Sequence, residues 1–167
     1  MRACSVVLSV LVMTLALSGS AWCGIESGQL EVAMAGSFMM DMAGSNTNIY
    51  TLDASVHKLF TEYFAGGLRV SAAGIGDDTR SMDLWGTLDL YMQGASTSIP
   101  YFGAGFGRSS WKIGDYDDST AIIEGHLGVK SFVTDRTALT IEARYEAATE
   151  AMDDGFLGLH VGYSVFF

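Results

Sequence analysis

Along much of this chain apolar and polar residues alternate one by one. The clearest run is at the C-terminal end, where Leu157, Leu159, Val161, Tyr163, Val165 and Phe167 share one parity, with Gly158, His160, Gly162, Ser164 and Phe166 on the other. Side chains of a strand point alternately to its two faces, so this is the signature of a β-strand with one apolar face. The pattern recurs. Leu30, Val32, Met34 and Phe38 oppose Gln29, Glu31 and Ser37. Tyr50, Leu52, Ala54 and Val56 oppose Thr51, Asp53, Ser55 and His57. Phe64, Leu68, Val70 and Ala72 oppose Gly67, Arg69 and Ser71. Met82, Leu84, Leu88 and Leu90 oppose Asp83, Thr87 and Asp89; Ile123, Leu127 and Val129 oppose Glu124, His126 and Lys130. Leu139, Ile141, Ala143 and Tyr145 oppose Thr140, Glu142, Arg144 and Glu146. In the stretch 100–107, Phe102, Ala104 and Phe106 are placed outward and the glycines inward, where crowding favours a missing side chain.

Eight strands result, at 28–40, 48–58, 63–74, 81–92, 99–109, 120–132, 138–147 and 156–167. Lengths near ten residues suit tilted membrane-spanning strands. The connections alternate. Phe60-Thr61-Glu62 and Thr134 to Thr137 are short turns and Gln93 to Ser98 is slightly longer; Asp41 to Thr47, Ile75 to Arg80, Ser110 to Ser119 and Ala148 to Gly155 are richer in Asp, Gly and Ser. Short turns at one end and longer loops at the other match an outer-membrane barrel with both barrel ends on the periplasmic side. The expected fold is all-β, an eight-stranded antiparallel up-and-down transmembrane β-barrel.

A soluble lipocalin-like secreted barrel alternates too, but turns its apolar face inward. Here the polar faces are small, mixed in sign and poor in Lys. That suits a packed lumen of limited width better than a water-facing surface.

The first 23 residues read as a signal peptide: Arg2, an apolar run from Val6 to Leu17, then Ser18 to Cys23. Cleavage is placed after Cys23 or after Ala21. A lipoprotein anchor at Cys23 fits less well, since Ser20 and Trp22 are not the residues such a site uses. A mature barrel over 24–167 then has no cysteine, which excludes disulfides and thiol chemistry.

The chain has 167 residues and a formal net charge of −10. Without a basic stripe it is not expected to bind nucleic acid. Such acidity also makes it a poor partner for anionic lipid unless cations bridge the two.

The ending Tyr163-Ser164-Val165-Phe166-Phe167 resembles the signal read by the outer-membrane insertion machinery, with Tyr163, Val165 and Phe167 as its carriers. The mature chain resembles the small outer-membrane β-barrel superfamily, opacity proteins and the outer-membrane protein A membrane domain. Pro100-Tyr101-Phe102-Gly103-Ala104-Gly105-Phe106-Gly107 resembles the Pro-Tyr-x-Gly-x-Gly-x-Gly strand of that family. The run 125–130 with Thr134-Asp135-Arg136 and 139–145 resembles its sixth strand, turn and seventh strand. The resemblance implies outer-membrane lipid and lipopolysaccharide as surroundings, marks a scaffold and names no function.

Three features could carry chemistry. Arg69, Lys130 and Arg144 can meet Glu31, Asp83, Glu124 and Glu142 in the lumen, as a paired plug or a polar channel. His57, His126 and His160 fall on lumen faces with Ser55, Ser71 and Ser164, so a triad is not excluded by residue type. Lipid A deacylases share the scaffold and carry a His-x-Ser-Asn motif late in the seventh strand; Arg144 to Thr149 holds neither His nor Ser. Asp77, Asp78, Asp115, Asp117, Asp118, Asp153 and Asp154 make the outer loops acidic, without the spacing of a calcium loop. Tyr50, Trp111, Tyr116 and Tyr145 are assigned to an outer aromatic girdle; Phe60, Tyr63, Phe64, Phe132 and Phe167 to a periplasmic one. Trp85 is assigned to the lumen. The expectation is a non-enzymatic outer-membrane protein with a structural or surface-interaction role, without cofactor or metal. A lipid A acyl hydrolase or a narrow, porin-like, low-conductance pore is the alternative.

Overall fold

The structure, a computed structural model, describes residues 25–40, 48–75, 79–93, 97–113 and 116–167. Its strands are β1 Leu30–Met40, β2 Asn48–Leu59, β3 Phe64–Ile75, β4 Thr79–Tyr91, β5 Ser98–Ile113, β6 Tyr116–Thr134, β7 Thr137–Ala148 and β8 Ala151–Phe166. Each pairs antiparallel with the next, and β1 pairs with β8, closing the barrel. At the seam Leu30 and Phe167 exchange two backbone hydrogen bonds, of 3.1 and 2.9 Å. Closure leaves no strand edge unpaired, the condition for a sheet to sit in lipid.

The alternation sorts outside from inside. Met34, Leu52, Leu68, Leu84, Phe106, Leu127 and Leu157 are exposed, while Glu31, Asp53, Arg69, Asp89, Glu124, Lys130 and Arg144 are buried. Phe102, Ala104 and Phe106 do face outward. Trp85 is inside and almost fully buried.

The termini end of the lumen is filled by apolar side chains: Ile25, Leu59, Ala65, Ile99, Phe132, Ala138 and Phe166. The chain before β1 helps close this mouth. Gly28, with φ at 92°, turns it so that its N–H donates to Leu59 O at 2.8 Å, and Leu59 N–H donates to Gln29 O at 2.9 Å. Gln93 Nε2 donates to Glu62 O at 2.7 Å and to Ile25 O at 3.4 Å.

Two expectations need correction. Much of Ser110 to Ser119 and Ala148 to Gly155, expected as loops, is strand: β5 and β6 run on to Ile113 and Tyr116, and β8 begins at Ala151. Alternation fades above the membrane because both faces are wet there, but the backbone ladder needs no apolar face to continue. The ends therefore differ in strand overhang and not consistently in connection length: at the termini end β2–β3 and β4–β5 are joined by four and six residues, at the other end β5–β6 and β7–β8 by two each. Phe132 is the second correction. It is not a girdle residue but part of the internal plug, its ring 5.1 Å from that of Phe166. Tyr50, Tyr145, Phe60, Tyr63 and Phe167 are exposed at the barrel ends; the side chain of Tyr116 lies outside the described residues.

Candidate functional site

Period two puts residues i and i+2 on one face, so each strand delivers its polar side chains to the lumen in file. β7 supplies Glu142, Arg144 and Glu146; β6 supplies Glu124, His126 and Lys130; β4 supplies Asp83, Trp85, Thr87, Asp89 and Tyr91; β2 supplies Asp53 and His57. β5 supplies room. A Cβ on Gly105 would lie 2.7 Å from Glu124 Cγ, and one on Gly107 would lie 2.8 Å from Trp85 Cε3. The glycine file of the Pro-Tyr-x-Gly strand is thus the clearance that lets Glu124 and Trp85 cross a narrow interior.

Directly above the apolar plug, Lys130 forms an ion pair with Glu31. Its Nζ also sits 5.0 Å from the ring centre of Tyr101 and 5.6 Å from that of Tyr91. Tyr101 donates to Glu142 Oε2 at 2.6 Å, and Tyr91 to Glu31 Oε2 at 3.3 Å.

The next layer is organised by two arginines. Arg69 grips Glu124 with both terminal nitrogens, Nη1 at 2.9 Å from Oε1, and its guanidinium lies 4.9 Å from the Trp85 ring centre. Arg144 donates from Nε and Nη2 to Glu142 Oε1 at 2.9 and 2.6 Å, and from Nη1 to Asp53 Oδ2 at 2.9 Å. It also lies 3.5 Å from Glu146 and 3.7 Å from Glu124.

His126 joins the layers. Its Nδ1 is 3.0 Å from Glu124 Oε1 and its Nε2 is 2.9 Å from Asp89 Oδ1. Carboxylates only accept, so both ring nitrogens must donate, and imidazole does that only as the imidazolium. His160 Nδ1 lies 3.2 Å from Asp53 Oδ2. His57 Nε2 is 2.8 Å from Thr87 Oγ1 and 3.7 Å from Asp89 Oδ2.

The structure brings Arg69, Lys130 and Arg144 together with Glu31, Glu124 and Glu142. Asp83 stands apart, accepting from Ser109 Oγ instead of pairing with a cation. Sequence reasoning left Asp53, Asp89, Glu146 and the histidines out of the network. Their inward parity was visible; which of them meet across the lumen depends on the stagger of non-adjacent strands. Of the acidic outer residues, Asp118 is exposed and accepts from Ser119 N at 2.7 Å. Asp77, Asp78 and Asp115 lie outside the described residues, as do the side chains of Asp117, Asp153 and Asp154. Among the described residues no group of three or more His, Cys, Asp or Glu could hold a metal ion.

A triad uses one ring nitrogen for the hydroxyl and the other for the acid. His57 turns the same nitrogen toward Thr87 and Asp89, and its Nδ1 has no hydrogen-bond partner among the described residues; His160 meets Asp53 through Nδ1, and its Nε2 has no hydrogen-bond partner among them either. Both nitrogens of His126 are committed to carboxylates. Among the described residues no hydrogen bond joins Ser55, Ser71 or Ser164 to a histidine ring. The lumen holds a small cavity of about 50 Å³, lined in part by Asp53, His57, Thr87, His126, Arg144 and His160.

An exposed apolar belt around a buried, ion-paired lumen makes this a membrane-spanning barrel. The same architecture is found in solved structures. The chain is similar to the N-terminal β-barrel domain of Pseudomonas aeruginosa OprF, with TM-score 0.65 and 13% identity over 84% of this chain and 98% of that one. It is similar to Neisserial surface protein A, NspA, with TM-score 0.62 and 15% identity over 83% and 96%. It is also similar to the outer membrane enzyme PagL, with TM-score 0.53 and 15% identity over 81% and 98%. The fold is that of the small eight-stranded outer-membrane barrels. No family model and no curated protein matches the sequence. Within this small-barrel fold enzymes and non-enzymes share one frame, so function must be argued from side chains.

Proposed function

We propose that the protein is a non-enzymatic integral outer-membrane barrel whose lumen is a structural plug and whose role lies at its outer surface. The observation that carries this reading is the lumen itself. Its termini-end mouth is filled by Leu59, Ile99, Phe132 and Phe166, and the layer above is tied by Arg69, Lys130 and Arg144 to carboxylates on β1, β2, β6 and β7. A pore needs a continuous water path, and a buried ion pair is costly to break because one charge would be left uncompensated. The name of NspA, a surface protein on the same fold, agrees with a surface role.

Two measurements on the full chain, refolded in detergent or reconstituted, test the proposal. In planar bilayers it should carry no steady single-channel current. Incubated with lipopolysaccharide, it should leave the acyl-chain masses unchanged by mass spectrometry. A reproducible conductance would make it a pore, and loss of an acyl chain would make it a lipid hydrolase.

A further inference from the structure

Asp89 differs from the other buried carboxylates in its partners. It is 3% exposed, and among the described residues no Lys or Arg nitrogen lies within 4.0 Å of its carboxylate. Glu31 has Lys130, Glu124 has Arg69, and Asp53 and Glu142 share Arg144. Five buried carboxylates thus face three buried fixed cations, Arg69, Lys130 and Arg144. A charge taken out of water must be balanced by another charge. The groups within ion-pair reach of Asp89 are histidines, His126 Nε2 at 2.9 Å and His57 Nε2 at 3.7 Å. Tyr91 adds a neutral donor at 3.4 Å.

Gly103 is what lets His126 reach Asp89. On β5 it is the ladder partner both of Asp89 on β4 and of His126 on β6. The three residues form one row across three strands, all of lumen-facing parity, and the outer two side chains meet over the middle one. A Cβ on Gly103 would lie 2.7 Å from Asp89 Oδ1 and would run into His126 Nε2. The other ring nitrogen, Nδ1, is 3.0 Å from Glu124 Oε1, and Arg69 of β3 grips Glu124 in turn. Both ring nitrogens face acceptors, which requires the imidazolium. The remaining charged and titratable groups around the ring are engaged elsewhere. Lys130, further along β6, pairs with Glu31. Arg144, the ladder partner of His126 on β7, serves Glu142 and Asp53. Tyr101, its ring centre 6.0 Å from that of His126, donates to Glu142.

We propose that His126 is a proton-operated latch. With the proton bound, it ties β4 to β6 across Gly103 and balances the charge of Asp89. When the proton leaves, one ring nitrogen becomes an acceptor facing a carboxylate, and Asp89 is left buried without a counter-charge. The row of β4, β5 and β6 then loses its tie. An ordinary histidine releases its proton near about pH 6.5. Unfolding above that pH therefore releases the proton that the row holds, and the barrel weakens as pH rises. The latch rests on the reading of the lumen as a structural plug. Protonation and stability, which test the latch, are separate from the conductance and acyl-chain masses that test the plug.

The experiment uses the full chain refolded in detergent. With its three histidines labelled at the ring nitrogens, nuclear magnetic resonance should find one ring protonated on both nitrogens at about pH 8, where an ordinary imidazole is mostly neutral. In urea, the unfolding constant should rise at least about tenfold between about pH 7 and about pH 9. H126Q should be less stable than the unaltered protein at the lower pH and should lose most of this slope. G103A, which changes no titratable group but fills the clearance, should lose it too. H57Q, which leaves the row intact, should keep it. Three neutral rings at about pH 8 would overturn the proposal whether or not any variant folds. A flat pH profile, or a slope that survives in H126Q or G103A or is lost in H57Q, would overturn it as well.

Discussion

Arg144 on β7 and Asp53 on β2 meet at 2.9 Å across the lumen, although they are 91 residues apart in sequence and β8 and β1 stand between their strands. The bond is a strut between opposite walls. The same guanidinium also serves Glu142, Glu146 and Glu124. Arg144→Ala should therefore destabilise the barrel by about 3–5 kcal/mol, the cost of leaving buried charges uncompensated. The urea midpoint in detergent measures it. R144M combined with D53N should be less damaging than the two single losses added together, because the second change removes part of what the first left unpaired. An unchanged midpoint for Arg144→Ala would mean that the strut carries no load.

Gly105 tests the clearance argument. Its missing side chain leaves space for Glu124, which holds both Arg69 and His126. Gly105→Ala should push Glu124 aside and cost about 1–3 kcal/mol. Gly125→Ala, at a position where a Cβ would meet nothing within 4 Å, should be close to neutral. Equal effects at the two sites would show that glycine is used there only for its backbone.

Phe166 and Phe167 are neighbours with opposite surroundings, 1% and 68% exposed. Phe166→Ala opens a cavity beside Phe132 and should cost about 3–5 kcal/mol. It should also be the change that first admits ions, so bilayer current in Phe166→Ala but not in the unaltered protein would locate the barrier in the apolar plug. Phe167→Ala removes a ring facing lipid and should have a much smaller effect on the unfolding midpoint.

Leu127 is exposed at 65% in the middle of β6. Leu127→Arg should cost about 2–4 kcal/mol in a bilayer, as a charge at mid-depth of the lipid face. The yield of heat-shifted, folded protein in phospholipid vesicles reports it. A folded yield equal to that of the unaltered protein would mean that Leu127 does not face lipid.

Strand number, the face each residue occupies and the apolar belt were legible in the sequence because they depend on period two alone. An alternating run needs only its own residues to declare itself, and Leu157 to Phe167 or Leu139 to Tyr145 do so without reference to any other strand. The polar inward faces of Arg69, Glu124, Lys130 and Arg144 were legible for the same reason. What only the tertiary structure decided is who meets whom. Strand stagger and barrel closure bring Arg144 to Asp53, His126 between Asp89 and Glu124, and Phe132 onto Phe166. They also carry β5 and β6 past the point where alternation stops, because backbone hydrogen bonds do not depend on side-chain polarity. Parity is a local property of a strand, whereas a partner across the lumen is set by the geometry of all eight strands at once.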